Sequence, residues 1–300
     1  MSFAAEVKEE LLRASEVRGA CCAEAQLYGM MLFGREFSAR GMCLRTENRA
    51  LAEHACAQLH EVALAAAQLE PRGRKWEVSV PRAEERLRLL ERFGHGGSEL
   101  TLRIVRENFT CEDCPAAFLR GAFLSCAAVS APERQYHLEF YISYKNLARE
   151  LCELLTENEL PPKLCQRNGI WLAYYKDSTQ IEDVLAFLGA RLAMLDLINT
   201  KIEKDMRNKV NRVVNFELAN VNRSAGAAAA QLLAIAKLRE SPGLAALPDA
   251  LREAALLRER NPEASLQELC ELAGEPVTRS GMNHRLKRLE ALARGAPGEK

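Results

Sequence analysis

Apolar positions recur at helical spacing from the start of the chain. Phe3, Val7, Leu11 and Leu12 predict one helix, and residues 21–33 predict a second. Residues 34–46 read as short strands around Gly41. The alanine-rich, leucine-studded stretch 48–69 predicts a helix ending near Pro71, and residues 75–80 alternate as a strand that stops at Pro81. Residues 84–93 then read as a helix, His95-Gly96-Gly97 as a turn and residues 99–105 as a strand. The order begins again after that. Residues 114–126 are helical, residues 136–142 alternate with Leu138, Phe140 and Ile142 on one face, and residues 145–158 form a helix closed by Pro161-Pro162. Residues 163–167 and 169–175 read as a hairpin around Asn168-Gly169, a strong turn signal, and residues 182–197 as a helix.

Sliding the chain by 92 residues lays Leu27, Gly29, Leu32 and Ser38 on Leu119, Gly121, Leu124 and Ser130, four identities in twelve positions. The element order on the two sides also matches. A glycine in mid-helix costs about 1 kcal/mol relative to alanine, and close helix–helix approach is a physical reason to accept it. Two such helices packed glycine to glycine would form a pseudo-twofold seam between duplicated halves. The plainer alternative is two unrelated core helices that each contain a glycine.

The character changes after residue 200. Residues 201–224 are rich in asparagine and basic side chains, and residues 225–238 are an alanine-rich helix. From Asp249, read as a cap, a helix runs to about Arg260, where Asn261-Pro262 breaks it. Ser265 caps the next, with Glu268 completing a capping box; Gly274 ends it and Thr278 caps a third. A short helix, a tight glycine-containing connection and a longer helix make helix-turn-helix spacing. The longer helix presents Arg279, Ser280, Asn283, His284 and Arg285 early, then Lys287 and Arg288. Residues 278–294 hold five Lys/Arg and one acid. Arg and Asn suit bidentate base-edge contacts, and the later cations suit phosphates. The bland alternative is a helical bundle with a solvated basic face. Residues 204–223 form a second basic segment, with five Lys/Arg against two acids. It offers Arg207, Lys209, Arg212 and Arg223 to a DNA backbone, or it is an interdomain helix whose asparagines cap and turn the chain.

The chain has 300 residues, 48% hydrophobic and 27% charged, which suits a globular protein of two or three domains. Its net charge of zero hides a balance of +4 in residues 201–300 and −4 in residues 1–200, a mild pointer to a polyanion partner for the tail. No run approaches the roughly 18 apolar residues of a membrane span. The start, MSFAAEVKEELLR, has no apolar signal core, so the ten cysteines are read as reduced cytosolic thiols. Cys111 and Cys114 form a single CxxC. A zinc would need a second pair; Cys21-Cys22 is a candidate, but vicinal spacing is poor for zinc, so no metal and no cofactor is expected. His95 is given no role. The chain contains no Walker loop, GxSxG or HExxH.

The start MSFAAEVKEELLR, the pair Cys21-Cys22, residues 114–130 and the tail EASLQELCELAGEPVTRSGMNHRLKRLEAL together resemble the WhiA family of bacterial sporulation and cell-division regulators. The resemblance implies a degenerate LAGLIDADG homing-endonuclease fold followed by a C-terminal helix-turn-helix. The implied architecture is α+β: a duplicated αββαββα domain, then an all-α domain. The boundaries expected are an N-terminal helix (1–19), the degenerate domain (20–200, halves about 20–106 and 111–200), a basic helical linker (201–240) and the helix-turn-helix domain (241–300). Nucleases of that fold place one acid at the foot of each seam helix to hold divalent metal. Laid on this chain, the two positions are Gly34 and Cys126, neither a hard oxygen donor.

The reading is therefore a cytoplasmic, nucleoid-associated regulator and not an enzyme. Its partner is double-stranded DNA, read by Thr278, Arg279, Ser280, Asn283, His284, Arg285, Lys287 and Arg288. The resemblance implies genes of cell division, chromosome segregation or sporulation. The rivals are a scaffold whose first domain binds a partner regulator, and a surviving endonuclease.

Overall fold

The computed structural model describes residues 2–14, 19–97 and 101–295. Two compact units emerge, Met1–Lys204 and Asp205–Lys300. In the first, α1 (Phe3–Ala14) precedes α2 (Ala20–Leu32), β1 (Glu36–Phe37), β2 (Met42–Thr46), α3 (Arg49–Glu61), β3 (Gln68–Arg72), β4 (Lys75–Ser79) and α4 (Ala83–Arg92). The second half repeats the order with α5 (Cys114–Cys126), β5 (Ala127–Val129), β6 (Leu138–Ile142), α6 (Lys145–Glu157), β7 (Lys163–Arg167), β8 (Ile170–Tyr175) and α7 (Ser178–Leu188). The sheets are antiparallel and share one topology, β1-β2-β4-β3 and β5-β6-β8-β7. The fold is thus α+β with a duplicated αββαββα motif, as the repeat and the resemblance imply.

The seam between the halves is the pair α2 and α5. Neither helix is amphipathic, because nearly every side of each is covered; residues 25–32 and 116–124 are buried throughout. Gly29 and Gly121 are the contact points. A Cβ on Gly29 would stand 2.2 Å from the Phe118 carbonyl oxygen, and one on Gly121 2.1 Å from that of Gln26. The two glycines are therefore paired features of one interface, which excludes the reading of two unrelated helices. Arg120 is fully buried in the seam, its Nε donating to the Leu188 carbonyl at 2.7 Å and its guanidinium to Gln26 Oε1 at 3.4 Å. A buried arginine of this kind carries no local spacing signal in the sequence.

Several sequence expectations need correction. The helix expected over 48–69 stops at Glu61. The chain turns at Leu64 (φ 50°), the Ala65 N–H reaches back to the Leu59 carbonyl, and residues 68–72 become strand β3. Pro71 does not end a helix; it sits in an edge strand, where its missing N–H does no harm. The helix expected over 182–197 is two helices, parted at Gly189 (φ 94°). Residues 101–105 form no strand, while Glu99 and Leu100 lie outside the described residues. Instead the Val105 N–H donates to Tyr28 Oη at 2.9 Å. Tyr28 Oη also lies 2.9 Å from His95 Nε2, so His95 is a buried part of the core rather than a spectator in a turn. The hairpin at Asn168-Gly169 forms as expected, with φ of 51° and 81°.

Helix α8 (Arg191–Glu240) follows and gives residues to both units. The second unit is completed by α9 (Asp249–Arg260), α10 (Leu266–Glu271) and α11 (Arg279–Ala293), around a core of Ile235, Leu238, Leu247, Ala254, Ala255, Leu269, Met282, Leu286 and Leu289. Asp249 is the first helical residue of α9 and not its cap, which is Pro248. Ser265 and Glu268 make the expected capping box.

Candidate nucleic-acid interface

Helix α11 is positioned by its own periodicity. Met282, Leu286 and Leu289 are fully buried and fix which side faces the core. At 100° per residue the opposite side carries Ser280, His284 and Lys287, with Asn283 at its margin, while Arg279 lies about 60° from Met282 and projects from the first turn of the helix. All but the half-buried Asn283 are exposed. Thr278 accepts the Gly281 N–H at 3.1 Å, so its hydroxyl serves as the N-cap. Arg285 points elsewhere: it pairs with Glu253 of α9 at 3.5 Å, and Glu253 also accepts the Gly274 N–H at 2.9 Å. One carboxylate on α9 thus holds both the turn and α11, and Arg285 belongs to that brace. Arg288, half-buried, lies at the edge of the exposed side.

Below this helix, Arg258 is almost wholly buried. It donates to Gln231 Oε1 at 3.0 Å and to the Ala264 carbonyl at 2.6 Å, which fixes the connection between α9 and α10. Neither Glu253 nor Arg258 stood out in the sequence, because an internal ion pair or a buried arginine has no local spacing signal.

The basic segment is continuous helix, so its asparagines neither cap nor turn the chain. Residues 205–219 are all exposed. Asn208, Asn211, Asn215 and Asn222 share one side, with Arg212 and Arg223 along one flank and Lys209 further round it; Arg207 lies along the other flank with Val214 and Val221, and Met206, Val210 and Val213 lie opposite. Lys204 is already committed, donating to the Pro132 carbonyl at 2.6 Å above the Tyr136 ring.

The positions of the lost acids meet in one cleft of about 770 Å³, lined by Gly34, Cys126, Lys8, Glu47, Ser125 and Tyr141 among others. A Cβ at Gly34 would stand 2.8 Å from the Cys43 carbonyl and 3.0 Å from that of Met31. The backbone leaves no ready space there for an acid. Lys8 of α1 donates to the Leu124 carbonyl at 3.1 Å, and burial lowers its pKa. Burial likewise pushes the Cys126 thiol up to about 12. A lysine amine and a buried thiol are the wrong donors for the divalent metal of a LAGLIDADG nuclease. The residues present do not fit that metal.

A different set converges at the other end of the seam. The sulfurs of Cys21, Cys22, Cys111 and Cys114 all lie within 4.8 Å of one another. Vicinal spacing argued against this grouping in the sequence. The loop carrying Cys111 folds over the start of α2, however, and meets Cys21 and Cys22 at 3.6 Å each. Hydrogen bonds from Cys114, Cys21 and Cys22 draw the Cys111 pKa down to about 7.

Among the described residues, no helix is long and apolar enough to cross a membrane. The WhiA LAGLIDADG-like domain model matches residues 115–207, and the WhiA C-terminal HTH domain model matches residues 210–293. A "Probable cell division protein WhiA" from Heliobacterium modesticaldum is 36% identical over 98% of this chain and 96% of its own length. Another of that name, from Alkaliphilus metalliredigens, is 42% identical over 65% of this chain and 62% of its own. The crystal structure of full-length DUF199/WhiA from Thermatoga maritima has the same fold, with a TM-score of 0.59 at 23% identity and all of both chains covered. A duplicated αββαββα unit followed by a helix-turn-helix, matched to relatives over nearly the whole length, places this chain in the WhiA family.

Proposed function

We propose that the chain is a sequence-specific DNA-binding transcription regulator without nuclease activity. The observation that carries this is the exposed side of α11, where Ser280, His284 and Lys287 stand together with Asn283 at their margin and Arg279 exposed at the helix start. Such a helix enters a major groove with its first two turns reading base edges. Arg288 and the linker residues Lys209, Arg212 and Arg223 contact phosphates; Arg207 does so from the other flank of the asparagine stripe. Arg285 and Thr278 act at one remove, by holding the helix.

Division of labour follows the boundaries read in the sequence: residues 1–19 and 20–200 as scaffold, 201–240 as basic linker, 241–300 as reader. The role in cell division rests on the names of the relatives, and a nucleoid-associated, cytoplasmic location follows from it. The second reading is a partner regulator docked on the first unit, favoured by the balance of −4 in residues 1–200. Selection of bound duplexes from a random pool tests the proposal. The full chain enriches one motif, and Asn283→Ala abolishes the enrichment. Equal recovery of all sequences by the unaltered protein would refute sequence-specific binding.

A further inference from the structure

We propose that Cys21, Cys22, Cys111 and Cys114 bind a single zinc ion that staples together the starts of the two seam helices. Four thiolates around zinc at a Zn–S distance of about 2.3 Å form a tetrahedron whose edges are about 3.8 Å. The sulfur pairs measured here are 3.6 Å for Cys21 with Cys111, 3.6 Å for Cys22 with Cys111 and 3.4 Å for Cys111 with Cys114, with all four inside 4.8 Å. The set is therefore close to its bound size. A disulfide needs sulfurs about 2.05 Å apart, and all four cysteines are free. An iron–sulfur cluster spreads its thiolates over several irons, which sets them further apart than this group. Soft sulfur ligands in a closed four-coordinate set suit zinc.

The surroundings suit the charge. On binding, each thiol gives its proton to solvent and its sulfur lone pair to the metal, so four thiolates and Zn²⁺ leave a net charge of −2. Cys21 and Cys22 sit in the first turn of α2, and Cys114 opens α5. Both 13-residue helices aim positive N-terminal ends at the sulfurs, and neither carries an acid in its first turn. The two helices joined here are the same pair that touch at Gly29 and Gly121. The site closes the seam at the end opposite the vacated nuclease cleft, and it needs no part of the DNA-binding reading.

Metal analysis of the full chain, purified under reducing conditions without chelator, tests this directly. One zinc per chain is expected. Growth on cobalt should give the intense d–d bands of a tetrahedral tetrathiolate. Cys111→Ser, at an exposed position, should lose the metal, while Cys165→Ser, exposed on β7, should retain it. All four thiols should resist alkylation until a chelator is added. Metal-free reduced protein with four reactive thiols would overturn the proposal. So would a disulfide among these cysteines, or iron with acid-labile sulfide. If Cys111→Ser fails to fold, the zinc content and cobalt spectrum of the unaltered chain decide.

Discussion

Gly29 and Gly121 each press on the backbone of the other's helix: a Cβ on the first would lie 2.2 Å from the Phe118 carbonyl oxygen, and a Cβ on the second 2.1 Å from that of Gln26. No side-chain rotation relieves such a contact, because both partners are main chain. Gly121→Ala should therefore cost at least about 2–3 kcal/mol, at the high end of overpacking effects. Gly226 lies in α8 with nothing within 4 Å, so Gly226→Ala should stabilise by about 0.5–1 kcal/mol. Chemical denaturation of the two variants checks the pair. A Gly121→Ala protein as stable as its parent would dismiss the seam argument.

Lys8 gives a pH prediction. Burial lowers its pKa from the ordinary 10.5, so the folded state disfavours the charged amine. Below the lowered value the native state bears the full cost of that charge. As pH rises through the lowered value toward 10.5 the native state loses its proton first, the unfolded chain holds more protons, and stability rises. Lys8→Met should stabilise the protein at neutral pH and flatten this rise. Denaturation midpoints at neutral and alkaline pH measure it; a variant with the parent's slope would contradict the burial of charge.

The same cleft predicts the absence of cleavage. Purified protein with Mg²⁺ or Mn²⁺ should leave supercoiled DNA intact. Gly34→Asp with Cys126→Asp should not restore cutting, because the Cys43 carbonyl stands 2.8 Å from where the first Cβ would be placed. Metal-dependent nicking by the unaltered chain would return the nuclease reading.

Much of this architecture was legible in the sequence for local reasons. Alternation in residues 138–142, the Asn168-Gly169 turn and the capping box at Ser265 and Glu268 are contained within a few residues, and each formed. The helix-turn-helix was legible for the same reason. What escaped was non-local. The end of α3 depends on a backbone bond from Ala65 to Leu59, and β3 is recruited by β4 despite Pro71. The four-cysteine cluster joins residues some 90 apart, so pairwise spacing rules could not find it. Arg285 looked like a base reader because its partner, Glu253, lies 32 residues upstream.

That partner gives a further test. Arg285→Ala should lower stability by up to about 1 kcal/mol, as expected of a long, partly exposed ion pair, with Glu253→Gln behaving alike. The salt dependence of DNA binding should stay unchanged in both. A flattened salt slope in Arg285→Ala would return that residue to the phosphate contacts.

For the linker helix, Lys209, Arg212 and Arg223 changed together to Gln should flatten the plot of log affinity against log salt by up to about 2–3 units, at roughly 0.9 per phosphate. Affinity should fall almost equally for all sequences, since phosphates carry no base identity. An unchanged slope with a lowered unfolding midpoint would assign these residues to bracing.

The central claim, that α11 reads sequence, is tested most directly by the affinity of Asn283→Ala for a selected duplex and for an unrelated one at the same salt. The account predicts a loss of about 1–3 kcal/mol on the selected site and a clearly smaller loss on the other. Equal losses on both, with the fold intact, would contradict it.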